Sequence, residues 1–409
     1  MGYRLFIRRE FFGYLFYDNK EDKIYTYKTN KELDFSKGIK VAKNNTYEFF
    51  NESEIKFLKS KILRNDILSA PTTVDLYPTL FCNERCKFCY IGNRLDNKIN
   101  GLSRKNGIAI MNELVENGIF SLSILGGEPL LYKDLGWLLD VAYKKDLIIS
   151  ISSNGTIYNE ELINKIIDYN ISFSLSFHSH LPKIHADIVN NNAAFNKELN
   201  FLDRVIDKGL KIHITTLVTK SNKDSVLETI EFLCNRGVRA ITLFHWSKSD
   251  FGSTNQNEGV DFWDFKDILK KSIIISKKYN VKITSRTNFP FLIYDDMDLD
   301  YDDSLSNILY GTIDTRRVLH ILYDGSTYST TYNLPENKAF LGNIFQDGLR
   351  NLWNNSKNLE MLRTANVSSV CKKCEHFNYC RGGSILNYKE NLNNDLPLCP
   401  LHIKPLFAE

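Results

Sequence analysis

Residues 73–89 read TVDLYPTLFCNERCKFC. A β-branched, apolar strand over 73–81 runs straight into Cys82-x3-Cys86-x2-Cys89, with Phe88 just before the last cysteine. Three thiolates at so short a spacing suit a four-iron cube. They leave the fourth iron without a protein ligand and open to a small molecule. Three cysteines of a zinc site, or a chance cluster, are the alternatives. Zinc sites normally pair CxxC units with two further Cys or His ligands close in sequence.

Downstream of this stretch a strand–helix rhythm sets in. Strands are expected at 73–81, 121–127, 147–155, 171–177, 210–218 and 239–246, and helices at 103–118, 133–145, 158–169, 195–209, 222–236 and 261–279. Alternation of this kind implies a parallel sheet with right-handed crossovers. Six units are too few for a closed eight-fold barrel and enough for a partial one. The fold class is therefore α/β, a partial (β/α)6 barrel, over residues 72–285. Chemistry in such folds sits at the C-terminal ends of the strands, where the cysteine triad falls.

Upstream, residues 1–71 form a small β-rich α+β unit. RLFIRREFFGYLFYD and KIYTYKT read as paired strands separated by Asn19–Asp22. Residues 46–65 read as a helix, with Asn51 and Ser53 as cap candidates.

Composition points to a cytoplasmic protein. The chain has 409 residues, 43% of them hydrophobic, enough for two or three domains with a real core. Its 52 basic and 49 acidic residues nearly cancel, which argues against a nucleic-acid partner. No apolar run spans a bilayer and no signal-peptide pattern opens the chain, so no membrane partner is expected. Seven of the eight cysteines fall in two tight clusters, which favours metal ligation over disulfides. The eighth, Cys234, lies in a helical stretch and reads as a small buried hydrophobe.

A second signal, Gly126-Gly127-Glu128-Pro129, follows the second strand. The glycines let backbone approach a ligand closely, and exposed peptide groups with Glu128 can hold an ammonium group. Alone this is an ordinary Gly-rich turn. One unit after the cysteine triad, it makes the chain resemble the radical S-adenosylmethionine (SAM) superfamily. The resemblance implies a [4Fe-4S] cluster on Cys82, Cys86 and Cys89, whose open iron binds SAM. It places Phe88 near the adenine and Gly126 to Pro129 at the methionine amino group. Ser152, Asn154 and Ser176, at the ends of the third and fourth strands, match positions that touch the carboxylate or ribose. His178 follows the fourth strand and reads equally as a site residue or a buried histidine.

Residues 286–409 carry Cys371-x2-Cys374-x5-Cys380 and then Cys399. Four thiolates can ligate a second cluster, or a structural zinc. Tyr323-Asp324-Gly325, Leu341-Gly342-Asn343-Ile344, Leu352-Trp353 and Cys380-Arg381-Gly382-Gly383 resemble the SPASM/twitch-like domain that follows many radical SAM barrels. Tyr310, Thr330 and Ser384 stand where that family has three further cysteines. The resemblance thus implies one auxiliary Fe–S cluster, of [4Fe-4S] type, rather than two.

SPASM-type relatives imply a peptide maturase. Such an enzyme cleaves SAM to a 5′-deoxyadenosyl radical, abstracts hydrogen from a ribosomally made precursor peptide, and installs a thioether or C–C crosslink or a related modification. The N-terminal unit is a candidate leader-peptide recognition element that adds the peptide at a sheet edge. A flavodoxin- or ferredoxin-type protein would supply electrons. An enzyme acting on a small molecule such as a tetrapyrrole side chain is the alternative. A non-enzymatic, zinc-stabilised binding module is the alternative of another class. No residue stands out as a catalytic acid or base.

Overall fold

The computed structural model describes residues 3–21, 23–43, 46–96, 98, 101–246, 258–286, 316–330, 336–364 and 369–374. The N-terminal unit is a sheet of β1 (Leu5–Glu10), β2 (Gly13–Asp18), β3 (Lys23–Lys28) and β6 (Ile55–Phe57), in the order β3-β2-β1-β6. A separate hairpin pairs β4 (Ile39–Lys43) with β5 (Thr46–Phe50). The run RLFIRREFFGYLFYD, expected as one strand, is two. It reverses at Phe11–Phe12, and Gly13 enters β2 with φ +137°, because any Cβ there would sit 2.1 Å from the Tyr27 carbonyl oxygen.

The helix expected at 46–65 does not form. Thr46–Phe50 is β5, and Asn51 caps only a single 3-10 turn at Glu52–Glu54. Ile55–Phe57 then pairs in parallel with Leu5–Ile7. Helical spacing in NESEIKFLKSKIL loses to an available sheet edge, since propensity is a weak prior against tertiary pairing.

The barrel follows the expected order. Its strands are β7 (Thr73–Tyr77), β8 (Ser121–Ile124), β9 (Ile148–Ser153), β10 (Ser172–Ser176), β11 (Ile212–Val218) and β12 (Ala240–His245). Between and after them run α1 (Arg104–Glu116), α2 (Leu135–Lys144), α3 (Glu160–Asp168), α4 (Pro182–Val189), α5 (Ala194–Asp207), α6 (Val226–Asn235) and α7 (Phe262–Tyr279). All six strands pair in parallel with their neighbours. Three elements were not anticipated: α4, the edge strand β13 (Lys282–Arg286), and β14 (Val318–Leu322), which pairs in parallel with β7. β13 and β14, with β15 (Ser326–Tyr328) and β16 (Phe340–Asn343), complete one ten-stranded sheet, β13-β12-β11-β10-β9-β8-β7-β14-β15-β16. The region after the barrel therefore continues the barrel's own sheet.

The main core lies between sheet and helices, where Leu122, Ile124, Ile149, Ile151, Phe173, Leu175 and Ile214 meet the apolar faces of α1 to α7. Cys234 is buried there, as expected of a small hydrophobe. The opposite, concave face differs. It presents Thr73, Ser121, Ser123, Ser150, Ser152, Ser174, Ser176 and Thr215 at alternate positions, half-buried or exposed. Side chains i and i+2 of a strand share a face, so this face of the sheet is lined by hydroxyls.

One buried donor ties the N-terminal sheet to the barrel, and another ties the C-terminal region to the end of the N-terminal unit. The Arg8 guanidinium is fully buried and donates to Glu10, Ala70, Pro71 and Gly118. Trp353, equally buried, donates its indole N–H to the Leu68 carbonyl at 2.7 Å. No helix among the described residues is long and apolar enough to cross a membrane.

Candidate active site

The chain leaves β7 through Pro78–Phe81 and enters the cysteine loop at the C-terminal edge of the sheet. The Gly126-Gly127 turn after β8 lies directly against it. Gly127 donates to the Thr79 carbonyl and Glu128 to the Phe81 carbonyl, both at 2.9 Å. A Cβ on Gly126 would come 2.5 Å from Thr79 O, and one on Gly127 2.2 Å from Phe81 O and 2.9 Å from Cys82 N. Both glycines are needed for this backbone contact between turn and loop. Close approach to a ligand is a second use of the same feature.

Glu128 is buried, and its carboxylate is taken up by the protein. It accepts from Leu130 N at 2.9 Å, Ser153 Oγ at 2.7 Å and Asn154 N at 2.8 Å. Burial pushes this carboxyl up, against those three hydrogen bonds. Its side chain thus ties the end of β8 to the end of β9, and only peptide groups of the turn are left to face a ligand. Asn154 is similarly engaged. Its amide donates to Asn83 Oδ1 at 3.0 Å and its carbonyl oxygen accepts from Thr156, while Asn83 donates to Thr156 Oγ1 at 2.7 Å. This latch fastens the cysteine loop to β9. Ser152 is exposed on the concave face, and Ser176 sits 3.5 Å from Thr215 Oγ1. Phe88 packs against α4 and meets the His178 ring edge-on at 4.8 Å.

The three thiols are partly buried. Burial pushes Cys82 up to about 12 and Cys89 up to about 11, and raises Cys86 as well. A bound cationic metal reverses that cost, since a coordinating thiol is deprotonated outright. The donor spacing separates the metals. A single zinc, with Zn–S near 2.3 Å, draws its sulfurs to about 3.8 Å of one another. Among the described residues, the set of three ligand side chains gathered within 4.8 Å is instead Asp18, Glu21 and Glu48. Arg4 pairs with both Asp18 and Glu48 there. The sulfurs of Cys82, Cys86 and Cys89 do not all lie within 4.8 Å of one another, wider than a single zinc requires.

His178 is buried. It accepts from Leu217 N on Nδ1, and burial next to His185 drives it down to about 3. It is a neutral histidine of the wall behind Phe88. Sequence reading passed over a neighbouring cluster: Glu84 of the cysteine loop, His185 of α4 and Glu198 of α5, all buried. Burial, then the Glu198 charge, raises Glu84 to about 8, and burial lowers His185 to about 4. The signal was a glutamate inside the cysteine spacing. Cys371 and Cys374 form a tight turn, with Cys374 N donating to Cys371 O at 3.0 Å. Cys380 and Cys399 lie outside the described residues, as do Tyr310 and Ser384; Thr330 is described, and is buried.

A partial parallel barrel with an open thiolate triad after its first strand defines the class. Residues 76–233 match the profile of the Radical SAM superfamily, and this part of the chain is a radical SAM domain. The chain is 29% identical over 213 residues to GTP 3',8-cyclase of Nautilia profundicola, covering 51% of this chain and 64% of that protein. It is 25% identical over 326 residues to mycofactocin maturase MftC of Mycolicibacterium smegmatis, covering 77% and 78%. The chain spans about half the length of the first curated relatives it matches. Among solved structures, Streptococcus suis SuiB bound to its precursor peptide SuiA superposes with TM-score 0.75 at 17% identity, over 96% of this chain and 97% of SuiB. At that identity the likeness concerns the fold, which is shared along nearly the whole chain.

Proposed function

We propose that this chain is a radical SAM enzyme that modifies a ribosomally made peptide. The observation that carries the reading is the docking of the Cys82–Cys89 loop on the Gly126–Glu128 turn, at the C-terminal edge of a sheet whose concave face is lined by hydroxyls. Cys82, Cys86 and Cys89 would hold a [4Fe-4S] cluster. The peptide groups of Gly126 to Pro129, with Phe88, Ser152, Asn154 and Ser176, would surround SAM. When bound, that pair supplies a 5′-deoxyadenosyl radical by reductive cleavage, and the radical abstracts hydrogen from the substrate. The protein's part is geometric. Asn83, Asn154 and Thr156 hold the loop in place, and the strand-end hydroxyls orient the bound molecule. The hydroxyl-lined concave face would give the substrate a polar surface.

A peptide substrate is supported by the full-length fold likeness to SuiB, whose complex holds a precursor peptide. The N-terminal unit has an exposed sheet edge at β3, suited to strand addition although it contains no α-helix among its described residues. Cys371, Cys374, Cys380 and Cys399 would hold one auxiliary Fe–S cluster in a SPASM/twitch-like domain. An external flavodoxin- or ferredoxin-type protein would deliver electrons.

Iron, sulfide and 5′-deoxyadenosine are to be measured on one anaerobically reconstituted sample. About eight irons per chain with SAM cleavage are expected. Zinc without cleavage would make the chain a binding module. The similarity to GTP 3',8-cyclase favours a second reading, a small-molecule substrate. Stimulation of SAM cleavage by GTP or a porphyrinogen, rather than by a leader-bearing peptide, would select it.

A further inference from the structure

Charges over the whole chain nearly cancel, with 52 basic residues against 49 acidic, so a local excess of one sign is a feature. One such excess lies on the solvent-facing side of the cysteine loop. Arg85 and Lys87 flank Cys86, Arg85 exposed and Lys87 half-buried. Arg85 folds back over the loop, its Nη1 donating to the Cys82 and Glu84 carbonyls at 2.7 Å each. The carboxylate between the first two cysteines, Glu84, is buried and adds nothing to this surface. α4 extends the patch. Lys87 N donates to the Ile188 carbonyl at 3.0 Å, and Cys86 and Phe88 pack against Ile188 and Val189, so helix and loop form one surface. Along α4, Pro182, Lys183 and Asp187 are exposed, next to Leu181, itself 39% exposed. Asp187 pairs with Lys87 at 2.6 Å, whereas Lys183 has no carboxylate partner among the described residues.

Three cations to one carboxylate, beside two exposed apolar residues, make a small cationic surface with a use. Reductive cleavage of SAM consumes an electron that must enter from outside. Arg85 and Lys87 are the cations nearest in the chain to its destination. Electron-transfer encounters bury little area and need no large apolar face. Complementary charge speeds and orients them, with an effect that falls as salt rises. Flavodoxins and ferredoxins are acidic proteins, and a cationic surface over the cysteine loop fits them.

We propose that Arg85, Lys87 and Lys183 form the docking face for an acidic one-electron carrier of the flavodoxin or ferredoxin type. One electron passes from the reduced carrier, which is oxidised by one, to the cluster that the three cysteines would hold, and no atom or proton moves with it. The inference rests on the radical SAM reading above. The test uses the reconstituted full chain and a bacterial flavodoxin. Flavodoxin affinity is measured at low salt, and SAM cleavage is driven separately by reduced flavodoxin and by reduced methyl viologen, a small cationic reductant. The proteins are wild type, Lys183→Glu, Lys183→Gln and Lys277→Glu, with iron content measured on each. Lys277 is an exposed lysine near the end of α7, which leads into β13 at the N-terminal edge of the sheet, away from the cysteine loop. Lys183→Glu should weaken flavodoxin binding and slow flavodoxin-driven cleavage by about threefold or more. Its iron content and viologen-driven cleavage should stay unchanged. Lys183→Gln, which only removes the charge, should lie between it and wild type. The difference should vanish in about 1 M salt, where the Debye length is about 3 Å. Lys277→Glu should match wild type throughout. Equal flavodoxin affinity in wild type and Lys183→Glu, an equal loss in Lys277→Glu, or loss of rate with both reductants together overturns the docking face. So does a wild-type chain that viologen drives and flavodoxin neither binds nor drives. A wild-type chain that holds no iron, or cleaves no SAM with either reductant, would instead remove the reading beneath it, so the two failures are distinguishable.

Discussion

Replacing Arg8 by Met should loosen the N-terminal sheet from the barrel. The guanidinium is fully buried and makes four hydrogen bonds: 2.6 Å to Glu10, 2.8 Å to Ala70 O, 2.8 Å to Pro71 O and 2.9 Å to Gly118 O. It also lies 4.9 Å over the Phe120 ring. Breaking a buried ion pair from one side costs about 3–5 kcal/mol, because the partner is left charged or must take up a proton. Glu10 keeps its bonds from Ser69 N and Oγ, and burial already raises its pKa, so the cost should fall near about 3 kcal/mol. Unfolding entropy scales with length, so that loss lowers the thermal midpoint by about 4 °C if the chain melts as one unit. The drop is larger, and a separate transition appears, if the N-terminal sheet melts alone. Circular dichroism melts would read either result. The companion variant, Arg8→Met with Glu10→Leu, removes the stranded carboxylate and should recover part of the loss, the Ala70, Pro71 and Gly118 carbonyls still lacking their donor. A single variant costing under about 1 kcal/mol, or a double variant no better than the single, would refute the clasp argument.

Gly127→Ala should sharply reduce iron uptake, since its Cβ would meet loop backbone at 2.2 Å; Gly136→Ala, with nothing nearer than Lys165 Nζ at 3.6 Å, should gain up to about 1 kcal/mol and load normally. Removing Cys82, Cys86 and Cys89 together should halve the iron, by about four atoms, and abolish 5′-deoxyadenosine. Removing Cys371 and Cys374 should leave SAM binding intact, and full iron retention there would exclude a second cluster. Stability should fall in acid. His178 and His320 are both pushed down to about 3 by burial, so the folded state binds fewer protons than the unfolded below pH 6.5. Each should cost about 2 kcal/mol between pH 7.5 and 5. Denaturant melts should show that slope, and His320→Gln should remove its share.

The barrel was legible because its strands and helices carry their own periodicities. SLSI, SFSLS and IHIT alternate strictly, and α1 to α3 and α5 to α7 present apolar residues at helical spacing. The same alternation, with serine at every second position, fits the polar concave face that the structure shows, since strands covered on both sides read as continuous apolar runs. Where pairing is remote, local pattern misled or was silent. Ile55–Phe57 had a helix-like neighbourhood and became a strand because β1 offered an edge. VLHIL at 318–322 is short, and nothing local says that Val318 pairs with Thr73. The cluster of Glu84, His185 and Glu198 escaped for the same reason: its members come from a loop and two helices that only the fold brings together.

Sequence reading assigned the residues around the cysteine loop to the ligand, whereas the structure gives most of them a first duty to the loop itself. Gly126 and Gly127 seat it, Glu128 joins the ends of β8 and β9, and Asn154 latches Asn83. Substitutions at these positions should therefore lower iron content and SAM affinity together. Ser152 differs, being exposed on the concave face. Ser152→Ala should change stability by less than about 0.5 kcal/mol and leave iron content unaltered. If Ser152 hydrogen-bonds SAM, the loss of that bond costs about 0.5–1.5 kcal/mol, a weakening of roughly two- to tenfold. Equilibrium binding of SAM to the reconstituted variant measures it. Unchanged affinity would remove Ser152 from the SAM site while leaving the loop assignment standing, because the loop is argued from backbone contacts that Ser152 does not make.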